Sequence, residues 1–431
     1  MVVTARLAVV LAAVSAIVAS LAGWAMVGAD VVVVAVALAD VALALPPSTV
    51  QVERELPEAM TLGATGDVVW RVRNPSARRQ RVALADELAP SLAATTRRIV
   101  LTIPPHARLT ARTEITPSRR GRFAPAELVV RTVGPLGLAG RQQRRSLPGQ
   151  LRVLPAFPSR KQAELRIDRA RILEVGLRSA QGRGGGTEFE NLREYTVDDE
   201  FRRIDWAATA RSNRTIVRTY RAERNQTVLV LLDAGRVMAG RVSGVPRLEH
   251  AMDAALTMTA VATRLGDRAG LVAFDRQVRA IVPPGHASAQ LRRVTEAMYN
   301  LEAELVESDY RGAFAETLAR WRRRALLVVL TELTEEAVTE TLLPALPLLA
   351  GRHLVVVASV SDPDVVRWAA AVPTEAETAY RKAAAETALR RRSEAAARLR
   401  GVGATVVDAP PGALAGRLAD AYLDVKATGR L

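Results

Sequence analysis

The chain contains no cysteine. Disulfides, thiol nucleophiles and thiolate metal sites are therefore excluded, and so is a small disulfide-stapled scaffold. Histidine is scarce, with 4 in 431 residues, which leaves little material for an imidazole zinc centre. His106, His250, His286 and His353 are scattered without local partners and read as surface or packing residues. No His-Glu-x-x-His occurs, and no Gly-Lys-Ser/Thr follows the run Gly182-Arg183-Gly184-Gly185-Gly186. That run is not a phosphate loop and reads as a linker. Only a Ser-His-Asp arrangement assembled by the fold stays open. Aromatics are 4%, so the apolar volume comes from Ala, Val and Leu. What is present is 49% hydrophobic and 24% charged residues, a globular composition, in a length that suits two or three domains. Lys+Arg 60 against Asp+Glu 45 gives a formal net charge of +15.

The amino terminus is the longest apolar region. Residues 7–28 carry no charge, and about 20 such residues span the ~30 Å hydrocarbon core of a bilayer. A second apolar run, 31–45, carries Asp40 and stops at Pro46-Pro47. The pattern predicts a transmembrane helical hairpin over 1–46, turning at Gly28, Ala29 and Asp30. A cleaved signal peptide led by Arg6 and a single span are the competing readings. Arg54, Arg71, Arg73, Arg78, Arg79 and Arg81 follow the hairpin and place the soluble domains on the cytoplasmic side of the cell membrane. The basic excess would also favour anionic headgroups of the lipid bilayer.

Residues 47–157 alternate short β-like runs with turn signals. The runs are 67–72, 81–84, 99–103, 109–115, 128–133 and 151–154, punctuated by Asn74-Pro75, Pro104-Pro105, Gly134-Pro135 and Pro148-Gly149. This spacing predicts a small immunoglobulin-like β-sandwich. Residues 158–186 read as a linker.

From 187 to 431 the chain alternates buried strands with helices, the pattern of a doubly wound α/β domain. The strand runs are 228–232, 270–274, 326–330, 354–360 and 404–407, and a hairpin leads into 278–282. Helical stretches are 248–265, 291–301, 339–349, 375–399 and 412–425. The runs end at or near Asp233, Asp275, Glu332, Asp362 and Asp408. Ligands of open α/β sheets bind at that end, where an acidic rim suits Mg²⁺. Asp275 reads instead as a turn residue, and Asp408, before Pro410-Pro411, as structural.

The densest segment is 186–220, where Arg193, Glu194, Asp198, Asp199, Arg202, Arg203, Asp205 and Arg211 surround Phe189, Tyr195, Ile204 and Trp206. It lacks helix or strand periodicity and reads as an ordered loop fixed by Arg–carboxylate pairs. Glu188, Phe189, Leu192, Arg193 and Tyr195, then Asp199, Arg203, Ile204, Asp205, Trp206, Ala210 and Arg211, make it resemble the domain of unknown function 58 family of bacterial proteins. Val197 and Asp198 stand where that family usually has Pro and Gly. The resemblance extends to the apolar amino terminus, to Arg119-Arg120-Gly121 and to Gly134-Pro135-Leu136-Gly137-Leu138.

The resemblance implies that the carboxy-terminal domain is similar to von Willebrand factor type A domains. Those hold Mg²⁺ with Asp-x-Ser-x-Ser, a Thr and an Asp. Here Asp233 is kept, but Gly235 and Val237 replace the hydroxyls and Arg236 adds positive charge. Ser308 or Asp309 stands at the second loop, and Thr331-Glu332 replaces Thr-Asp. The expectation is a degenerate, weak Mg²⁺ site, with Asp233 and Glu332 pairing with Arg236 or another Arg in its place. The resemblance further implies a non-enzymatic membrane adaptor that partners a MoxR-type AAA+ ATPase in assembly or envelope processes. The family motif would brace the sheet, with Trp206 and Tyr195 buried, or form a docking surface, with Arg193, Arg203 and Arg211 exposed together. A Mg-dependent hydrolase is the alternative. Nucleic-acid binding ranks third, because charge alone supports it and no recognition module is present.

Overall fold

The computed structural model describes the chain apart from residues 1, 19–22, 182–187, 197–198, 200, 202–203, 222–224, 287 and 429–431. It divides into two compact units, Met1–Leu154 and Pro155–Leu431.

The first unit opens with a strand, Val2–Val3, and two apolar helices, Ala5–Val18 and Gly23–Leu43. Leu7 and Leu11 of the first pack on Val33, Ala37 and Val41 of the second, while Val27, Val31, Val34 and Leu38 stay exposed. The expected turn at Gly28, Ala29 and Asp30 is absent, because the second helix runs through all three. A helix-interior Gly costs only about 1 kcal/mol, less than leaving backbone groups unpaired in an apolar setting. The second helix, at 21 residues, is long and apolar enough to cross a membrane, whereas the first has 14 residues and is not.

Asp40 would be a liability in an apolar helix, but it is fully buried and satisfied. It accepts the backbone N–H groups of Leu136 at 2.8 Å, Leu138 at 2.8 Å and Ala139 at 3.1 Å. Thr4, just before the first helix, donates its hydroxyl to the carbonyls of Gly137 and Leu138, both at 2.7 Å. The start of one helix and the end of the other thus grip the same β loop. Gly134 is required beside it, since a Cβ there would lie 2.3 Å from the Asp40 carbonyl oxygen.

The remainder of this unit is β structure around one core, and all six expected strands are present. A five-stranded sheet runs in the order Val2–Val3, Ala139–Ser146, Glu127–Val133, Gln80–Asp86, Arg98–Ile103. Two three-stranded sheets accompany it, Gln51–Glu55, Gly66–Arg73, Arg108–Ile115 and Ala59–Thr61, Leu151–Leu154, Gly121–Phe123. Alternation sends Val68, Trp70 and Val72 into the core beside Val82, Leu84, Val130 and Leu151. The Trp70 indole donates to Asp86 at 2.6 Å, and the buried Arg54 pairs with the other carboxylate oxygen.

The second unit begins at Pro155, ahead of the expected linker, and most of that linker is helical. Residues 160–181 form a helix, Arg160–Gln181, whose Ala163 and Ile167 share one face and enter the core. Ser159 donates its N–H at 3.1 Å and its hydroxyl at 2.5 Å to Asp253, and Arg166 forks onto Asp420 at 2.8 and 3.0 Å. The glycine run at 182–186 lies outside the described residues.

The sheet comprises β1 (Thr227–Asp233), β2 (Arg268–Phe274), β3 (Val278–Gly285), β4 (Leu326–Leu330), β5 (Leu354–Val360) and β6 (Thr405–Ala409). Their order is β3-β2-β1-β4-β5-β6, parallel throughout except for β3. Alternate residues of β1 feed two cores. Val228, Val230 and Leu232 meet the helices Arg247–Arg264 and Leu414–Ala427 on one face. Leu229 and Leu231 meet Tyr310–Arg320 and Ala376–Gly401 on the other. The expected helix at 339–349 is interrupted: a wide helical turn, Ala337–Leu342, is followed by Leu343–Ala345 and Pro347–Ala350. Pro344 and Pro347 lack the N–H needed for a continuous ladder.

Candidate functional site

The strand order reverses between β1 and β4, the place where open α/β sheets bind ligands. Asp233 ends β1, and Thr331-Glu332 follow β4 beside it. Asp233 is completely buried. Its Oδ1 accepts the Gly235 N–H at 2.8 Å and the Ser308 hydroxyl at 2.5 Å. Its Oδ2 lies 2.7 Å from the Tyr310 hydroxyl and 2.6 Å from that of Thr331, and these two hydroxyls are 2.8 Å apart. A carboxylate offers about four lone-pair directions, and all are used. Gly235 belongs to this arrangement, since a Cβ there would come 2.1 Å from Ser308 Oγ. Burial and the neighbouring Asp233 push the Tyr310 phenol well above its usual 10.0, so it stays a donor. Ser308, not Asp309, serves the second loop, while Asp309 caps the helix Tyr310–Arg320 through the Gly312 N–H at 2.9 Å.

Glu332 turns elsewhere. It is buried, pairs with Arg392, accepts the Ser359 hydroxyl at 3.0 Å and stands 3.1 Å from Arg247 Nε. Arg392 also forks onto Asp408 through two bonds of 2.8 Å and donates to the Val360 carbonyl at 3.0 Å. Burial alone would lower its pKa, but the bonds and charges of Asp408 and Glu332 outweigh it and raise the pKa. Of the two acids expected to pair with Arg236 or another Arg, Glu332 pairs with Arg392, whereas Asp233 is met by three hydroxyls and an amide, and Arg236 pairs with Glu307 at 2.6 Å. Asp275 holds its own turn through the Gln277 N–H at 3.1 Å and Arg279 at 2.8 Å. Asp362 caps the helix Pro363–Ala370 through the Asp364 N–H at 2.9 Å.

Glu332 and Asp408 share Arg392, while Asp233, Asp275 and Asp362 each have a local task of their own, so the five rim acids do not converge on one ligand position. Val237 packs against the apolar core and offers no oxygen. Among the described residues no group of three or more His, Asp or Glu is placed to hold a metal ion. The donor set at Asp233 does not fit the octahedral Mg²⁺ that the resemblance implies.

The segment expected as an ordered loop is a two-stranded hairpin, Glu188–Glu194 paired with Ile216–Arg221, with a short helix, Trp206–Ser212, in the connection. Paired acids hold the connection. Arg193 forks onto Asp199 at 2.9 and 2.5 Å, and Asp199 also accepts the N–H and hydroxyl of Thr196, both at 2.9 Å. Burial would raise the Asp199 pKa, but the Thr196 amide, Arg193 and the Thr196 hydroxyl together lower it. Asp205 caps the helix through the Ala208 N–H at 2.9 Å and pairs with Arg218 at 2.8 Å. The Ala208 amide and Arg218 hold its carboxyl below the usual range.

The aromatic residues remain outside. Phe201 is 69% and Trp206 60% exposed, packed edge to face at 5.7 Å, and Leu192 is 43% exposed. Tyr195 is half-buried and Arg211 exposed. Charge pairs hold the segment, Ile204, Ala208 and Val217 are buried, and Phe201, Trp206 and Leu192 face solvent. Trp206 is not buried as a pure brace requires, and Arg193 is committed to Asp199. Arg203 lies outside the described residues, as do Val197, Asp198 and Arg202 and the side chains of Glu188 and Phe189. Phe201 escaped the sequence reading because nothing distinguishes it from a core residue.

Fold and site together define an α/β protein with an apolar amino-terminal helix, a β-rich unit and a self-satisfied acid cluster at its sheet end. Residues 191–400 match the model of the family described as protein of unknown function DUF58, and this segment of the chain belongs to that family. No curated protein matches it. Similar solved structures include native alpha-2-macroglobulin from Escherichia coli, at 18% identity over 26% of this chain and 17% of that one, with a TM-score of 0.20. A protein of unknown function from Porphyromonas gingivalis matches at 19% identity over 26% and 50%, TM-score 0.20. The CARDB domain of the PF1109 protein from Pyrococcus furiosus, determined with di-metal ions, matches at 10% identity over 24% and 91%, TM-score 0.18. At these scores the likenesses carry no argument about function.

Proposed function

We propose that this protein is a non-enzymatic interaction module anchored at the cell membrane, with its family segment as the docking face for a protein partner. One observation carries the reading: Phe201 and Trp206 stand exposed on a segment that Asp199 and Asp205 hold through their pairs with Arg193 and Arg218. Exposed aromatic side chains on a braced scaffold are the usual anchors of protein interfaces. The sheet order, with its antiparallel edge strand, supports a von Willebrand factor type A-like domain, and the first unit supports an immunoglobulin-like sandwich. The partner implied by the family resemblance is a MoxR-type AAA+ ATPase, which requires both soluble units to face the cytoplasm. The engagement of Asp233 and Glu332 by protein donors counts against the metal-dependent hydrolase.

The test is recovery of partners by the tagged full-length protein from native membranes, with and without ATP, compared with a Phe201→Ala/Trp206→Ala variant. The expected result is an AAA+ ATPase retained by the wild type and lost from a variant with unchanged circular dichroism. Equal recovery by both, or recovery of no ATPase by either, overturns the reading.

A further inference from the structure

We infer that Tyr310 seals the acid site at the end of β1, its hydroxyl filling the position between Asp233 and Thr331 so that the cluster is a metal-independent keystone of the sheet. The inference rests on the geometry at Asp233 and not on the docking proposal.

Three observations carry it. First, the phenol oxygen sits 2.7 Å from Asp233 Oδ2 and 2.8 Å from Thr331 Oγ1, bridging the two groups. A Mg²⁺ ion needs about six oxygens at 2.0–2.1 Å and could not share that space with a hydroxyl. The phenol is held there by its ring, which packs edge to face on Phe274 at 5.5 Å and Phe314 at 6.1 Å. Second, the substitutions are mutually adapted. Ser308 Oγ approaches Asp233 to 2.5 Å through space that any side chain at position 235 would fill. The hydroxyl absent at Gly235 is thus replaced from a loop more than seventy residues away. Third, the acid after Thr331 is no longer available, because Glu332 is drawn into the buried network of Arg392, Asp408 and Ser359. All the roles of a cation, namely balancing Asp233, joining β1 to β4 and fixing the second loop, are performed by protein donors.

The test uses full-length protein in detergent with Mn²⁺ as probe, followed by electron paramagnetic resonance and thermal melting, with EDTA as control. Wild type is expected to bind no Mn²⁺ at Asp233 and to melt at the same Tm with either. Tyr310→Phe keeps the ring and removes the hydroxyl, and should lower Tm by about 5 °C or more in both conditions. Gly235→Ser should destabilise alone, and Ser308→Ala should partly restore it, since only one hydroxyl fits. Wild-type Mn²⁺ binding that disappears in Asp233→Asn would overturn the inference, as would a wild-type Tm lowered by EDTA. An additive Gly235→Ser/Ser308→Ala pair would also overturn it. If Tyr310→Phe does not fold, the wild-type metal response and the serine pair still decide.

Discussion

The end of the sheet and the family hairpin use the same residue types to opposite effect. At the sheet end, Asp233, Glu332, Asp408 and Arg392 face inward, and every carboxylate is met by protein donors. In the hairpin, Asp199 and Asp205 also look inward, but the groups left outside are Phe201, Trp206 and Leu192. One region uses its charges for cohesion. The other spends a few charges on rigidity and presents apolar surface. A cluster of acids at a ligand-binding position is therefore not evidence of chemistry until its lone pairs have been counted.

This contrast can be broken most strongly at Arg392. Arg392→Ala leaves Asp408 without its cation and Glu332 with Arg247 in a largely buried setting, and should cost about 3 kcal/mol of global stability, measured by urea unfolding. A smaller, local effect is expected at Asp199. Its folded pKa is depressed, so its contribution is complete above the unfolded value of about 3.9 and is lost as pH falls through the folded value. Amide hydrogen exchange, corrected for intrinsic rates, should show the hairpin losing protection below about pH 4. An Arg193→Gln variant should already lack the protection this pair supplies at neutral pH. The smallest effect belongs to the aromatics: the Phe201→Ala/Trp206→Ala change should alter stability by no more than about 0.5 kcal/mol. A loss of several kcal/mol there would mean that the two rings hold the fold, and the contrast would collapse.

Much of the architecture was legible because its signals are local. The continuous apolar runs gave the strands of the parallel sheet, and period-two alternation gave those of the first unit. The helix Arg160–Gln181 was hidden because only Ala163 and Ile167 of its described side chains are buried, among many charges. The turn between the apolar helices was misplaced because Gly28-Ala29-Asp30 is a turn signal in water, whereas helix continuity prevails in an apolar setting. Asp233 was identified, but its environment was not. Tyr310 opens an ordinary amphipathic helix, and only the topology brings it to a strand end far away in sequence. Arg392 is one of three successive arginines, and nothing local marks it as the one that turns inward.

The grip on Asp40 has a mechanical consequence. Three amides of a single loop hold one carboxylate near the end of an apolar helix, while Thr4 holds the same loop from the start of its neighbour. A one-residue slip would swing that carboxylate through about 100° and strand all three amides. The helix is therefore keyed like a shaft in a slot. Torque or thrust applied along it is delivered to the β unit rather than dissipated as free spinning.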